Sequence, residues 1–299
     1  MIIRCPTAIF PYRPACLLRV TGGDAATFLQ GQFTNDLRNL GPGRAVYGLW
    51  LNRKGRVIAD SHVIEAPDGG GYWVASVASP AAVLARHLGD HIIADEVEIA
   101  DETASWRGVA LLGEGAGGWL GLEPRPGMFF PGRRSAAESW EWLARESDSE
   151  RVAAALSGAR VLGAGEIELM RIESAVPAVP ADIGPADLPN EGGLDAQAIS
   201  YSKGCYLGQE VMARVRASGR VRRTLVRVRG AGPAPALPAG LWRGDTREGE
   251  LRSAAALGGG FVGLALLSLG AASAGGALSS APGGPPAVEV VPAGGRDCV

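Results

Sequence analysis

Three histidines and four cysteines in 299 residues leave little material for metal chemistry. The cysteines, Cys5, Cys16, Cys205 and Cys298, form no C-x-x-C pair and show no metal-ligand spacing. With His62, His87 and His91 as the only imidazoles, a closed zinc site is not expected. An excess of one charge is missing too. The 29 basic and 31 acidic side chains give a net charge of −2, which argues against general nucleic-acid affinity, DNA included. The opening residues Met1 to Pro6 lack a long apolar run, so the chain does not read as secreted, and free thiols without a signal point to the cytoplasm. A membrane-length apolar run is also absent. Residues 254–288 carry no charge, but glycines at 258–260, 270 and 275–276 and Pro282 interrupt them. The pieces fall far short of the roughly 20 apolar residues of a span. Buried strands separated by glycine turns are expected there, with no membrane partner.

With 46% apolar and 20% charged residues, the chain has the means to bury two or three compact units. Residues 15–20, 44–51, 56–65 and 72–77 read as strands, with a hairpin turn at Asn52-Arg53-Lys54-Gly55. Helices are expected at 25–30, capped by Asp24, and after Ser79-Pro80, stopped by Gly89. A hairpin, a strand and then a helix suggest an α+β unit rather than a doubly wound sheet. Further on, short helices are expected at 136–143 and 149–156 and a longer one at 165–173. A loop is expected at 123–127, and the proline-rich stretch 177–190 reads as an ordered loop crossing a surface. After the Gly/Pro/Ala stretch 230–235, apolar runs at 237–242, 261–269 and 287–291 read as a small all-β domain. The expected division is a body over 1–219 and a second domain over 220–299.

The most informative run is Lys203-Gly204-Cys205-Tyr206-Leu207-Gly208-Gln209-Glu210. It has no apolar period to explain it as core, and its glycines let backbone approach a ligand closely. It reads as a tight turn entering a helix near Leu207. Cys205 would then stand close to a helix N-terminus, where the dipole favours a thiolate. The residues alone leave both a ligand site and a structural turn open.

This run resembles the K-G-C-[FY]-x-G-Q-E signature of the YgfZ group of folate-binding proteins. That group includes a mitochondrial iron–sulfur assembly factor and is related to the aminomethyltransferase (T-protein) of glycine cleavage. Leu29-Gln30-Gly31-Gln32-Phe33-Thr34-Asn35-Asp36 is similar to the group's L-Q-G-Q-x-T-N-D motif. Arg171-Ile172-Glu173, followed by Pro177, is similar to R-x-E-x-G-x-P, with Ala175 where glycine is usual. Gly55-Arg56 to Asp60 resembles the K-G-R…D hairpin shared with the relatives. The resemblance covers about the first 230 residues and is much weaker beyond them. It implies intertwined α+β subdomains around a central channel and a small C-terminal β-barrel. It further implies tetrahydrofolate, or a one-carbon derivative, as the ligand, and iron–sulfur enzymes or assembly proteins as partners.

Each candidate residue has a functional and a plainer reading. A carboxylate at Glu173, facing inward from an apolar helix, is costly unless paired. A pterin's amino group and ring N–H would satisfy it, and so would a salt bridge to Arg171 or another arginine. Asn35 and Asp36 either contact the ligand or form a local turn. Tyr206 either stacks on the ligand or joins a core cluster, and Gln209 joins the candidate contacts by its place in the signature. Lys203 or the arginines between 214 and 229 could meet the glutamate tail of folate, although a solvated strand face accounts for the arginines equally well. Cys205 is a candidate redox-sensitive thiol, transient iron–sulfur contact or nucleophile; no histidine is near it in sequence. Asp60 is the candidate acid/base of an alternative reading, a folate-dependent aminomethyl or methyl transferase. Such enzymes typically pair two aspartates where this chain has Ala59-Asp60. A third reading is a non-catalytic scaffold that binds a protein or RNA through its arginine-rich strand.

Overall fold

A computed structural model describes residues 8–121, 126–219 and 221–291. Cys5, Cys298, Arg220 and most of the loop expected at 123–127 lie outside the described residues. The first half contains β1 (Ala8–Tyr12), β2 (Cys16–Thr21), α1 (Ala25–Gln32), β3 (Ala45–Leu51), β4 (Val57–Glu65), β5 (Tyr72–Ser76), α2 (Ala81–Gly89) and β6 (Glu98–Asp101). Then follow β7 (Trp106–Leu112), β8 (Met128–Pro131), β9 (Ser139–Arg145), α3 (Ser149–Ala155), β10 (Arg160–Val161) and α4 (Ala164–Glu173). The remainder holds α5 (Asp195–Ala198), α6 (Gln209–Ser218), β11 (Arg223–Ala231), β12 (Ala239–Arg243), β13 (Thr246–Leu257), β14 (Gly260–Ser268), α7 (Leu269–Ala274), β15 (Ala277–Leu278) and β16 (Val288–Val290).

Three sheets result, in the orders β10-β1-β7-β9-β8, β3-β4-β5-β2-β6 and β12-β13-β14-β11-β16-β15. The first two are intertwined because consecutive strands part company. β1 crosses to pair with β7, Ala8 opposite Leu112, whereas β2 enters the other sheet between β5 and β6. Strand β2 is apolar at nearly every position, Cys16, Leu17, Leu18 and Val20 all being buried, because a strand inside a covered sheet packs on both faces. Its two faces feed different cores: Leu18 and Val20 join Phe33, Trp50 and Leu84 under α2, while Leu17 joins Trp73, Trp106 and Phe130 between the sheets.

The third sheet is a six-stranded barrel. Paired backbone hydrogen bonds of 2.8 Å between Trp242 and Ser279 join its edge strands β12 and β15 and nearly close it. The uncharged stretch of the sequence becomes β14 and its neighbours, as expected. Phe261, Ala265 and Leu267 fill the barrel, and Val262 and Leu264 pack outward on Ile172 of α4. A strand buried on both faces has no alternation to show. No helix among the described residues is long and apolar enough to cross a membrane.

Several local expectations change. Residues 136–143 do not form a helix; Ser139–Arg145 is β9, paired with both β7 and β8, and tertiary pairing overrides the alanines at its start. Asp24 precedes α1 without capping it, because its Oδ2 accepts from the Glu96 N–H at 2.8 Å. Helix α6 begins at Gln209, two residues later than expected. Gly208 precedes it at φ 86°, where a Cβ would stand 2.8 Å from the Asn52 carbonyl oxygen, so only glycine fits. Helix α7 was not anticipated.

Candidate functional site

A small chamber of about 80 Å³ lies where β3, β4 and β5 meet the β8–β9 hairpin and the loop 176–179. An open cleft of about 290 Å³ adjoins it, and Arg133, Val176 and Pro177 form walls of both.

Asp60 of β4 is an acceptor in the chamber wall. Its Oδ1 accepts from Ser79 Oγ at 2.8 Å and Ser76 Oγ at 3.1 Å, and its Oδ2 accepts from the Tyr47 hydroxyl at 3.0 Å. A carboxylate offers about four acceptor positions, so one remains for a donor in the chamber. Burial pushes the Asp60 pKa up against the opposing pull of these hydroxyls and of the Arg133 charge. His62, on the same strand, packs between the rings of Tyr47 and Phe130, with centroids 5.3 and 4.8 Å away. Burial and the nearby Arg133 and Arg134 push its pKa down to about 3, so the imidazole is neutral at physiological pH.

On the opposite wall Arg134 donates from Nε to Glu141 Oε1 at 2.7 Å, and Glu141 is 1% exposed. The Arg133 guanidinium lies 3.8 Å from the centroid of the Tyr47 ring, and its Nε donates to Gln197 Oε1 at 3.3 Å. The site thus joins a buried acceptor, two aromatic walls and a cation at the exit. It suits a flat, donor-bearing head group whose remainder leaves through the cleft.

The signature residues are used differently from expectation. The Lys203 ammonium is buried and donates to three carbonyl oxygens, those of Phe33 at 2.5 Å, Gln30 at 2.6 Å and Asn35 at 2.9 Å. Its donors are spent on the exit of α1, whose last carbonyls have no helical partner, so it is not free to meet an anionic tail. Burial pushes its pKa down to about 8, leaving it mainly charged at neutral pH. Tyr206 is 7% exposed and packs with Leu49, Leu51 and Met212, so its ring belongs to a core cluster and does not reach the chamber. Gln209 is half-buried at the start of α6. Cys205 is exposed and stands in the turn before α6, outside both chamber and cleft.

Asn35 and Asp36 hold local structure. The Asn35 amide donates to the carbonyls of Tyr47 at 2.9 Å and Gln197 at 3.1 Å. It thereby fixes the two residues that touch Asp60 and Arg133, one layer behind the site. Asp36 accepts from the Arg38 guanidinium at 2.6 Å and from Gln30 at 3.1 Å, which holds its pKa well below the usual carboxylate range. Glu173 does not face the interior. It is exposed at the end of α4 and lines neither compartment, although Ser174 and Ala175 line the cleft. Arg171 does not pair with it, binding Glu168 and Asp182 instead. Ala175 takes φ 53°, the left-handed backbone that suits the glycine usual at this place, at a cost of about 1 kcal/mol. Sequence reasoning missed Arg133, Tyr47 and His62. The one available signal for the first was the Pro-Gly-Arg-Arg turn between aromatic strands at 131–134.

A family profile described as the GCVT N-terminal domain matches residues 3–120. The human protein named iron–sulfur cluster assembly factor IBA57, mitochondrial, is 30% identical over 272 residues, which cover 84% of this chain and 74% of that protein. A Vibrio vulnificus protein named tRNA-modifying protein YgfZ is 28% identical, over 72% of this chain and 68% of its own length. The crystal structure of the glycine cleavage system aminomethyltransferase T from Bartonella henselae superposes with a TM-score of 0.76, covering 96% of this chain and 86% of that one. At 18% identity, that likeness speaks for the fold alone.

Proposed function

The chain belongs to the GcvT/aminomethyltransferase-like family, with IBA57 and YgfZ proteins among its relatives, and from that premise we propose that it binds tetrahydrofolate and supports assembly or repair of iron–sulfur enzymes. The names of its relatives bracket the activity as iron–sulfur cluster assembly or tRNA modification. The observation that carries the folate reading is the chamber itself: one open acceptor position on Asp60, aromatic walls, and a cleft leading outward past Arg133. The residues fit a reduced pterin. One of its N–H groups would donate to the open position on Asp60, in place of the paired contact expected of Glu173, with His62 and Tyr47 beside it. When bound, the folate would supply a nitrogen pair able to accept a one-carbon unit. This chain's own contribution is to orient the head group and hold the Asp60 carboxyl where a proton can be exchanged.

Cys205 is the outward-facing thiol in this reading, open to an iron–sulfur protein rather than to the folate. The cytoplasmic setting belongs to the same proposal and rests on the free thiols of Cys16 and Cys205. A second reading, a folate-dependent aminomethyl transferase, draws on the raised pKa of Asp60, which suits a proton-transfer group. Formation of methylenetetrahydrofolate from an amine donor, abolished in Asp60→Asn, would select it.

The test is anaerobic calorimetric titration of tetrahydrofolate into the wild-type protein and into Asp60→Asn and Glu173→Ala. Micromolar binding weakened about 10-fold (about 1.4 kcal/mol) by Asp60→Asn and little changed by Glu173→Ala is expected. Absence of heat in the wild type refutes folate binding.

A further inference from the structure

We propose that Arg133 reads the anionic tail of the ligand, so that the cleft selects pterins carrying a carboxylate over pterins without one. The inference rests on the folate reading of the chamber. Three arginines line the chamber, and two are already matched to carboxylates: Arg134 to Glu141, and Arg171 to Asp182 and Glu168. Arg133 has no ion pair among the described residues. Its one hydrogen bond runs from Nε to the neutral Gln197 side chain, at a long 3.3 Å.

Stacking on Tyr47 uses the face of the guanidinium and leaves its edge, where the remaining N–H donors point, unspent. That planar fork is the group best shaped to take a carboxylate bidentately. Its surroundings sharpen the point. Among the described residues, Arg133 is the only charged side chain in the walls of the cleft, which otherwise present glycine, alanine, serine, valine, proline, leucine and glutamine. One anion is therefore attracted, at one place, by a cation that lies on both sides of the boundary between chamber and cleft.

Two other cations, Lys203 and Arg223, are committed elsewhere. The Lys203 ammonium is spent on three carbonyls, and Arg223 pairs with Asp187 and Glu191. With the pterin head against Asp60, a tail leaving the chamber passes Arg133 as it enters the cleft. A carboxylate there would exchange the weak Gln197 contact for a charge-assisted pair in a partly enclosed setting.

The test compares two probes under anaerobic calorimetry: tetrahydrofolate, and 6-methyltetrahydropterin, which lacks the benzoylglutamate tail. Each is titrated into the wild type, Arg133→Met and Arg133→Lys. Methionine keeps an apolar stem over Tyr47, and lysine keeps the charge without the fork. Arg133→Met is expected to weaken tetrahydrofolate about 10-fold or more and to leave 6-methyltetrahydropterin within about 2-fold. Arg133→Lys should fall between the two for tetrahydrofolate alone. Added salt should weaken the wild type's binding of tetrahydrofolate and not of the tail-less probe. Equal losses for both probes would make Arg133 a prop for Tyr47 and overturn the proposal, as would no loss for either. If Arg133→Met does not fold, the Arg133→Lys comparison decides alone. A wild type that binds the tail-less probe as tightly as tetrahydrofolate refutes tail reading while leaving the pterin chamber standing. A wild type that binds neither removes the folate reading and this inference with it.

Discussion

The loop that walls the chamber is held down by one carboxylate, and removing it should be costly. The Asp182 side chain is 0% exposed. Its Oδ2 accepts from Arg171 Nη1 at 2.6 Å and the Ala178 N–H at 2.8 Å, and its Oδ1 accepts from Ser253 Oγ at 2.5 Å. Three parts of the molecule meet here: α4, the loop carrying Val176 to Val179, and barrel strand β13. Asp182→Ala strands the Ala178 N–H and the Ser253 hydroxyl and leaves the Arg171 guanidinium, 11% exposed, leaning on Glu168 and the Val176 carbonyl. Breaking a buried pair from one side costs about 3–5 kcal/mol. Because Glu168 survives as a partner, the lower end applies, about 3 kcal/mol or roughly a hundredfold in the folding equilibrium. Urea denaturation would read this as a lower midpoint at unchanged m. The double variant Arg171→Met/Asp182→Leu should recover part of the loss, since it removes the buried guanidinium together with its buried partner and leaves only the part-exposed Glu168 carboxylate without its arginine. A loss under about 1 kcal/mol for Asp182→Ala, or a double variant no better than the single, would refute the reasoning.

Lys203→Met should cost about 3 kcal/mol, because three carbonyls lose a charged donor at once; a melting temperature equal to the wild type's would show that water replaces the ammonium freely. Cys205→Ser should leave urea stability within about 0.5 kcal/mol of wild type and tetrahydrofolate binding unchanged, while abolishing support of iron–sulfur enzymes; full rescue of those activities by the variant would remove the thiol from the mechanism. His62 titrates near 3 in the fold against about 6.5 when unfolded. Its folded value is depressed, so between those limits the unfolded chain takes up a proton that the native state refuses. The stability from neutral His62 is therefore complete above pH 6.5 and drains away as pH falls toward 3. His62→Phe, which keeps a flat ring between Tyr47 and Phe130 and removes the titrating group, should flatten the acid limb of a plot of unfolding midpoint against pH. An acid limb as steep as the wild type's would assign the sensitivity to other groups, such as His87, whose pKa burial lowers to about 4.

Element types came through the sequence well where one local rule decided them. Pro80 and Gly89 bracket α2, and Gly219, at φ 61°, ends α6 as a left-handed cap. The rule failed at β9, where Ala136 and Ala137 suggested a helix and two neighbouring strands imposed extended backbone on the residues after them. The candidate site was legible as a set of motifs but not as a map of contacts. Nothing in sequence spacing says that Lys203 lies against Gln30, or that Asn35 reaches Gln197. Glu173 illustrates the limit most sharply. In α4 its neighbour Ile172 is fully buried, yet one residue on, about 100° around the helix, the carboxylate turns to solvent. Which side of α4 faces inward depends on the placement of the barrel under Ile172, which only the three-dimensional packing supplies.

The motif residues act mainly as a frame, and this bears on how the molecule divides its tasks. Lys203 binds the carbonyl of Asn35; the Asn35 amide binds the carbonyls of Tyr47 and Gln197; the side chains of those two bind Asp60 and Arg133. An unbroken chain of contacts therefore runs from the signature turn to the chamber. Lys203 and Tyr206 of that turn point inward along it, and the Cys205 thiol alone among its reactive groups is left facing out. Lys203 should consequently affect both fold and chamber, whereas Cys205 should affect neither. Under the proposed function, this separation would let a partner engage the thiol without entering the chamber.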